Sequence, residues 1–189
     1  MVVVGQFVVG VVHARIILES DVDARTDQLI RDGLCICFPE DTSVYSKTRA
    51  WNGYDPAINA VIERRGKVIA HAAAIDKNII VGSRNLRVAG IMNVYVLFRY
   101  RKRGLAGRVV DAALHEAALQ GYDLGLLFCK AWLETVYAKL GWKKITDRAI
   151  TRVVEGRELP MREHIVSMYY PIRLEELPPG DIHLQGNEW

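Results

Sequence analysis

The chain is poor in cysteine, in paired metal ligands and in net charge, and each shortage removes a class of protein. Three cysteines in 189 residues, Cys35, Cys37 and Cys129, cannot make the disulfide framework of a small secreted domain. Cys35 and Cys37 stand one residue apart with no second pair. None of the five histidines has another four positions away, so the sequence offers no zinc pattern of either kind. The thiols read as reduced, which fits a cytoplasmic protein. A formal charge of +3 is too small to argue for a nucleic-acid partner. There is no Gly-Lys-Ser/Thr loop and no three-glycine dinucleotide fingerprint. The apolar N-terminus, residues 1–12 (MVVVGQFVVGVV), is about half as long as a membrane-crossing helix and lacks the basic start and cleavage site of a leader. It reads as an extension of uncertain role, and no membrane partner is expected.

What is present suits one domain over 13–189. Half of the residues are hydrophobic and a quarter charged, the profile of an ordinary globular chain. Residues 13–19 alternate and are β-branched, so they predict a strand. Ser20 and Asp21 offer a helix N-cap, and 21–33 carries early acids with apolar residues at helical spacing. Residues 38–56 dissolve into Pro, Asp, Ser, Asn and Gly, a long loop of the kind that is often functional. A meander follows: strands at 57–63, 68–81 and 86–98, separated by polar and glycine turns.

The period then changes from two to 3.6. Leu105, Val109, Val110, Ala113, Leu114 and Ala117 mark one helical face, and Gly121 ends that helix. Residues 122–129 read as a buried strand and 131–140 as a shorter helix capped by Gly141. Strands at 142–146 and 163–172 close the order, joined by a polar loop. The class is α+β, or mixed α/β. His71, inside an apolar strand, reads as a core histidine, and Cys129 as a buried structural thiol.

The positive charge is local. Arg99, Arg101, Lys102, Arg103 and Arg108 fall within ten positions, which suits a compact anionic ligand. They flank Gly104, Leu105, Ala106 and Gly107 between a strand and the amphipathic helix. The first amides of a helix lack intrahelical partners and sit at its positive pole, so a diphosphate there can accept several N–H bonds. Gly104, Ala106 and Gly107 keep side chains out of its way.

Arg101-x-x-Gly104-x-Ala106 resembles the acyl-CoA motif of the GNAT N-acetyltransferase superfamily, with Lys102 where many relatives have glycine. Residues 136–142 (VYAKLGW) resemble the segment that carries that family's tyrosine. The resemblance spans about 12–172. It implies a central, mostly antiparallel sheet of six to seven strands, splayed between strands 4 and 5 and flanked by about four helices. Within the superfamily, residues 68–75, 122–125 and the terminal Trp189 resemble the aminoglycoside 2′-N-acetyltransferases. Residues 49–53 (RAWNG) are similar to the nodulation N-acyltransferases. Both relatives acylate amino sugars.

The implied cosubstrate is acetyl-CoA or another acyl-CoA, held by Arg101 to Arg108. The implied partner is a small-molecule amine, and homodimers are frequent among relatives. The amine attacks the thioester, an oxyanion forms and CoA leaves as a thiolate. The resemblance assigns Val96 N–H to the thioester oxygen, with Tyr95 and Leu97 flanking the pantetheine, and Tyr137 as the acid for the thiolate. Asn93 stands where the aminoglycoside enzymes carry a glutamate, and Asn187 where they carry an aspartate. The base therefore falls to a water or to another carboxylate, among Glu40, Asp41, Glu63, Glu188 and the chain end at Trp189. Asn93, Asn187, Glu188, Trp189, Glu40 and Asp41 make the expected acceptor site. Two other readings stand beside this one: transfer of a longer acyl group, and acyl-CoA binding without turnover.

Overall fold

The protein is described from a computed structural model covering residues 13–189. The apolar segment 1–12 lies outside the described residues. Strand β1 (Arg15–Leu18) pairs antiparallel with β2 (Ile58–Arg64), and β2 with β3 (Lys67–Val81). Between β1 and β2 lie α1 (Ala24–Cys37) and the short α2 (Thr42–Tyr45). Helix α1 begins later than the sequence suggests. Glu19–Asp21 makes a 3-10 turn, and Asp23 is the cap, accepting from Thr26 N at 2.6 Å. The helix also runs past Gly33, because that glycine sits inside it where a Cβ would collide with the Tyr95 phenol.

Strand β4 (Arg84–Val96) is antiparallel to β3, and α3 (Leu105–Leu119) leads into β5 (Leu124–Lys130). A 3-10 turn and α4 (Glu134–Ala138) share the segment expected to be one helix. Then come β6 (Lys143–Lys144), β7 (Ile150–Val154), β8 (Arg157–Pro160), β9 (Ile165–Pro171) and β10 (Ile182–His183). The sheet order is β6-β9-β5-β4-β3-β10-β7-β8, with β1 and β2 joined through β3. Only β4–β5 and β10–β7 are parallel.

This is the expected class with more strands. The β7–β8 hairpin was expected to be a polar loop. It turns at Glu155 and Gly156, both at positive φ, as tight hairpins require. Every residue of β8 is exposed, so no apolar alternation marks it in the sequence.

Each face of the sheet buries a different core. Helix α3 covers one face with Val109, Val110, Ala113 and Ala117 against Ala60, Ile62, Ala72, Ala89 and Leu127. On the other face α1 and Tyr45 pack over Val61, Val68 and Tyr95. Below them, Leu184 and Trp189 pack over Ala73, Ile75, Val88 and Leu126.

Candidate functional site

Strands β4 and β5 are paired only at Val88–Gly90 with Leu124–Leu126. Beyond that, β4 stays with β3 up to Val96 and β5 stays with β9 up to Lys130. The two strands separate and leave a notch. The cause is local. Opposite the single Ala72, β4 carries two residues, Asn93 and Val94, and Asn93 takes φ 55°. Such a bulge bends its strand and increases its twist.

After the bulge the ladder resumes, and Leu97 N–H reaches Ile69 O at 2.9 Å. Backbone groups alternate along a strand, so the amide and carbonyl of Val96 point away from β3 into the notch. That carbonyl accepts Arg101 Nε at 3.0 Å and the Cys37 thiol at 3.8 Å. Burial pushes the Cys37 thiol up from its ordinary value, against the pull of Arg101. Tyr95 faces the other way. Its ring is buried under α1, with the hydroxyl 3.4 Å from Ile30 O, so only its backbone can flank a ligand in the notch. Leu97 is half-buried between the two cores.

The loop after β4 opens at the notch. Arg101 N bonds Phe98 O, and Arg108 N bonds Gly104 O. Between them, among the described residues, no carbonyl takes the amides of Lys102, Arg103, Gly104, Leu105, Ala106 or Gly107. Lys102 and Gly104 sit at φ 59° and 70°, a left-handed bend that turns successive N–H groups to one side. A Cβ on Gly104 would meet nothing within 4 Å, so space lies in front of the amides. Lys102 and Arg103 are exposed. Six open amides at the positive end of a 15-residue helix, with cations beside them, fit a diphosphate. Gly107 serves differently from expectation. It is buried, and a Cβ there would come within 2.8 Å of Leu140. Its smallness lets α3 pack against Leu140, just after α4.

Across the notch, Tyr137 on α4 is half-buried against Trp142, ring centroids 6.0 Å apart. Burial raises its pKa above that of an ordinary phenol, and the nearby Cys129 adds to the effect. It therefore keeps its proton. Cys129 is buried and its thiol is pushed up to about 11, which leaves no thiolate to act as a nucleophile.

The residues expected to face the acceptor fare unequally. Asn93 is spent: Oδ1 accepts from Tyr45 at 3.0 Å and Nδ2 donates to Arg49 O at 2.8 Å. Glu188 is buried between Arg152 at 3.1 Å and Arg162 at 3.0 Å. Asn187 accepts from Arg152 and from Glu188 N. Trp189 is not a frayed end. It is buried against Gly90, Phe128 and Tyr54. Glu63 is paired with Arg15 at 2.6 Å.

Glu40 and Asp41 differ, standing at the turn before α2, where Asp41 feels the charge of Lys130 at the end of β5. Partial burial raises the Asp41 pKa, with Glu40 adding and Lys130 opposing. Rings line this side in sequence: Phe38 on Tyr45, Tyr45 stacked on Trp51 at 5.5 Å, and Tyr54 on Trp189. Tyr45, Arg152 and Arg162 were missed in the sequence. The two arginines lie in or beside the hairpin taken for a loop, and nothing local marks a partner 26 or more residues away. Among the described residues no cluster of ligands could hold a metal, and no helix is long and apolar enough to cross a membrane.

Residues 25–145 match the family model described as an acetyltransferase (GNAT) domain. The chain is 32% identical over 135 residues to the aminoglycoside 2′-N-acetyltransferase of Mycolicibacterium fortuitum, a stretch covering 70% of this chain and 66% of that protein, just under two thirds of its length. Its fold is similar to a GNAT family N-acetyltransferase from Escherichia coli solved in complex with CoA, with TM-score 0.65, 18% identity and coverage of 92% and 91% of the two chains. It is also similar to a GNAT family acetyltransferase from Brucella melitensis solved with acetyl-CoA, with TM-score 0.57, 17% identity and coverage of 90% and 95%.

Proposed function

Because this chain belongs to the GNAT acetyltransferase family, we propose that it transfers an acetyl group from acetyl-CoA to a primary amine of a small molecule, within one domain over 13–189. The observation that carries the proposal is the run of amides from Lys102 to Gly107, six in a row without an acceptor among the described residues at the mouth of α3. Bound there, an acyl-CoA supplies an activated thioester. The chain's own residues do the rest. The amides and the Lys102 and Arg103 side chains hold the diphosphate. Val96 N–H faces the notch and stabilises negative charge on the thioester oxygen, a kind of donor whose loss costs about 3–4 kcal/mol of barrier. Tyr137, kept protonated by burial, gives its proton to the departing sulfur.

On the acceptor side Asp41 takes the amine proton, directly or through water. Its raised pKa brings it nearer to the range in which a carboxylate works as a base. Asn93 holds the wall of this side. The likeness to an aminoglycoside 2′-N-acetyltransferase supports an amino sugar as acceptor. The reduced thiols support a cytoplasmic setting.

Release of the CoA thiol from acetyl-CoA, followed over a panel of amino sugars and other primary amines, tests the proposal. Turnover with at least one amine and micromolar affinity for CoA by calorimetry are expected. No heat on titrating CoA would end the reading. A second reading, transfer of a longer acyl group, draws on Phe98 and Trp132, each about three-quarters exposed at 79% and 71% and placed just beyond the two splayed strands. A rate that rises with acyl length would favour it.

A further inference from the structure

We infer that His71 is a positioning residue for this transfer: its Nδ1–H holds the Asn93 carbonyl, and with it the β4 bulge that aims the Val96 amide into the notch. The inference rests on the role proposed above for that amide. A bulge takes a peptide group off the ladder, and a buried carbonyl then needs another donor. Here the donor is a side chain from the neighbouring strand. His71 Nδ1 lies 2.9 Å from Asn93 O, and the ring is fully buried. A carbonyl only accepts, so this bond requires the proton on Nδ1.

The second ring nitrogen also faces an oxygen, but one that is farther away and already accepts from an arginine. Nε2 lies 3.2 Å from Asn59 Oδ1, and the Asn59 amide cannot be reversed. Its Nδ2 donates to Glu19 Oε2 at 2.9 Å, and its Oδ1 already accepts from Arg49 Nη1 at 3.1 Å. Reversal would set donor against donor and acceptor against acceptor. Arg49 in turn is pinned by two oxygens of Glu19 and one of Asp27. Burial and the Arg49 charge keep the imidazole neutral, and its single proton goes to the nearer oxygen, that of Asn93.

The same asparagine is held at both side-chain atoms by Tyr45 and the Arg49 carbonyl. Three segments therefore clamp one bulged residue: β3, α2 and the loop after it. Two residues beyond the bulge Val94 comes Val96, whose amide direction depends on where the bulge sits. Moving that amide by about 1 Å is enough to lower a rate by about 100-fold.

The test uses the full chain with an amine that the wild type acetylates. His71→Leu removes the donor, whereas His71→Asn presents an amide N–H near the place of Nδ1. We expect His71→Leu to lower kcat about 10- to 100-fold with the acetyl-CoA KM within about twofold, since the diphosphate loop is untouched. His71→Asn should recover most of kcat. A His71→Leu protein that is folded by circular dichroism and keeps wild-type kcat overturns the inference. So does a folded His71→Asn protein that recovers nothing.

If neither variant folds, nitrogen NMR of the histidine-labelled wild type decides. A neutral ring protonated at Nδ1 supports the clamp, and an Nε2–H tautomer or a charged ring refutes it. A wild type inert with every amine and acyl-CoA fails the acyl-transfer reading itself, which is a different result from an active wild type with an active His71→Leu.

Discussion

The two sides of the notch are built on opposite principles. On the proposed diphosphate side polar groups are left open: six consecutive amides have no acceptor among the described residues, and Lys102 and Arg103 reach solvent. On the acceptor side most polar side chains are already engaged, although the buried Trp189 Nε1–H has no hydrogen-bond partner among the described residues. Asn93, Asn187 and Glu188 each have protein partners at 3.3 Å or less, whereas Asp41 only feels the charge of Lys130. An open run of donors suits a ligand with fixed, multiple negative charges. A prepaid network suits shape and orientation instead, because a saturated group adds rigidity and little direct attraction. On the proposed reading the first side binds and the second positions.

That contrast can be broken at several points. Trp189→Ala should give the largest effect. It empties a packed site among Gly90, Phe128 and Tyr54, and a buried Trp→Ala change costs about 3–5 kcal/mol. Chemical denaturation would show it. A loss under 1 kcal/mol would mean the acceptor side is not held by its chain end.

Tyr137→Phe is expected to lower kcat about 100-fold while leaving the melting temperature nearly unchanged, because the ring still packs on Trp142. Unchanged turnover would remove the acid from the scheme. Replacing Lys102 and Arg103 together by Ala should raise the acetyl-CoA KM roughly tenfold or more, with kcat almost constant. A fall in kcat without a KM change would mean the two sides do not divide labour as stated.

A last effect concerns pH and is spread over more than two units. His71 in the folded chain titrates at about 4, below its ordinary 6.5, because burial disfavours the charged ring. Between those values the unfolded chain takes up a proton that the folded chain does not. Stability should therefore fall as the pH drops from 6.5 toward 4, by at most about 1.4 kcal/mol per pH unit from this group. His71→Asn should flatten that slope in urea titrations.

Much of the diphosphate side is legible in residues 99–119. A strand, a basic turn with Gly104 and an amphipathic helix are contiguous, and short-range periodicity reports them. The acceptor side is not. Asn93 could be read only as a missing acid, since its partners come from Tyr45 and Arg49, more than 40 positions away. Gly107 looked like room for phosphate and proved to be room for Leu140. Tyr95 looked like a wall of the notch and lies under α1.

By itself the sequence determined the strands β1 to β5, the helices α1 and α3 and the basic turn between β4 and α3, because hydrogen bonding within an element and the period of its apolar residues are local properties. Only the tertiary structure decided which way β4 turns its residues after Asn93. One extra residue in a strand shifts every later side chain to the other face, and whether that residue is extruded depends on distant groups, here His71, Tyr45 and Arg49, that meet it only when the chain is folded.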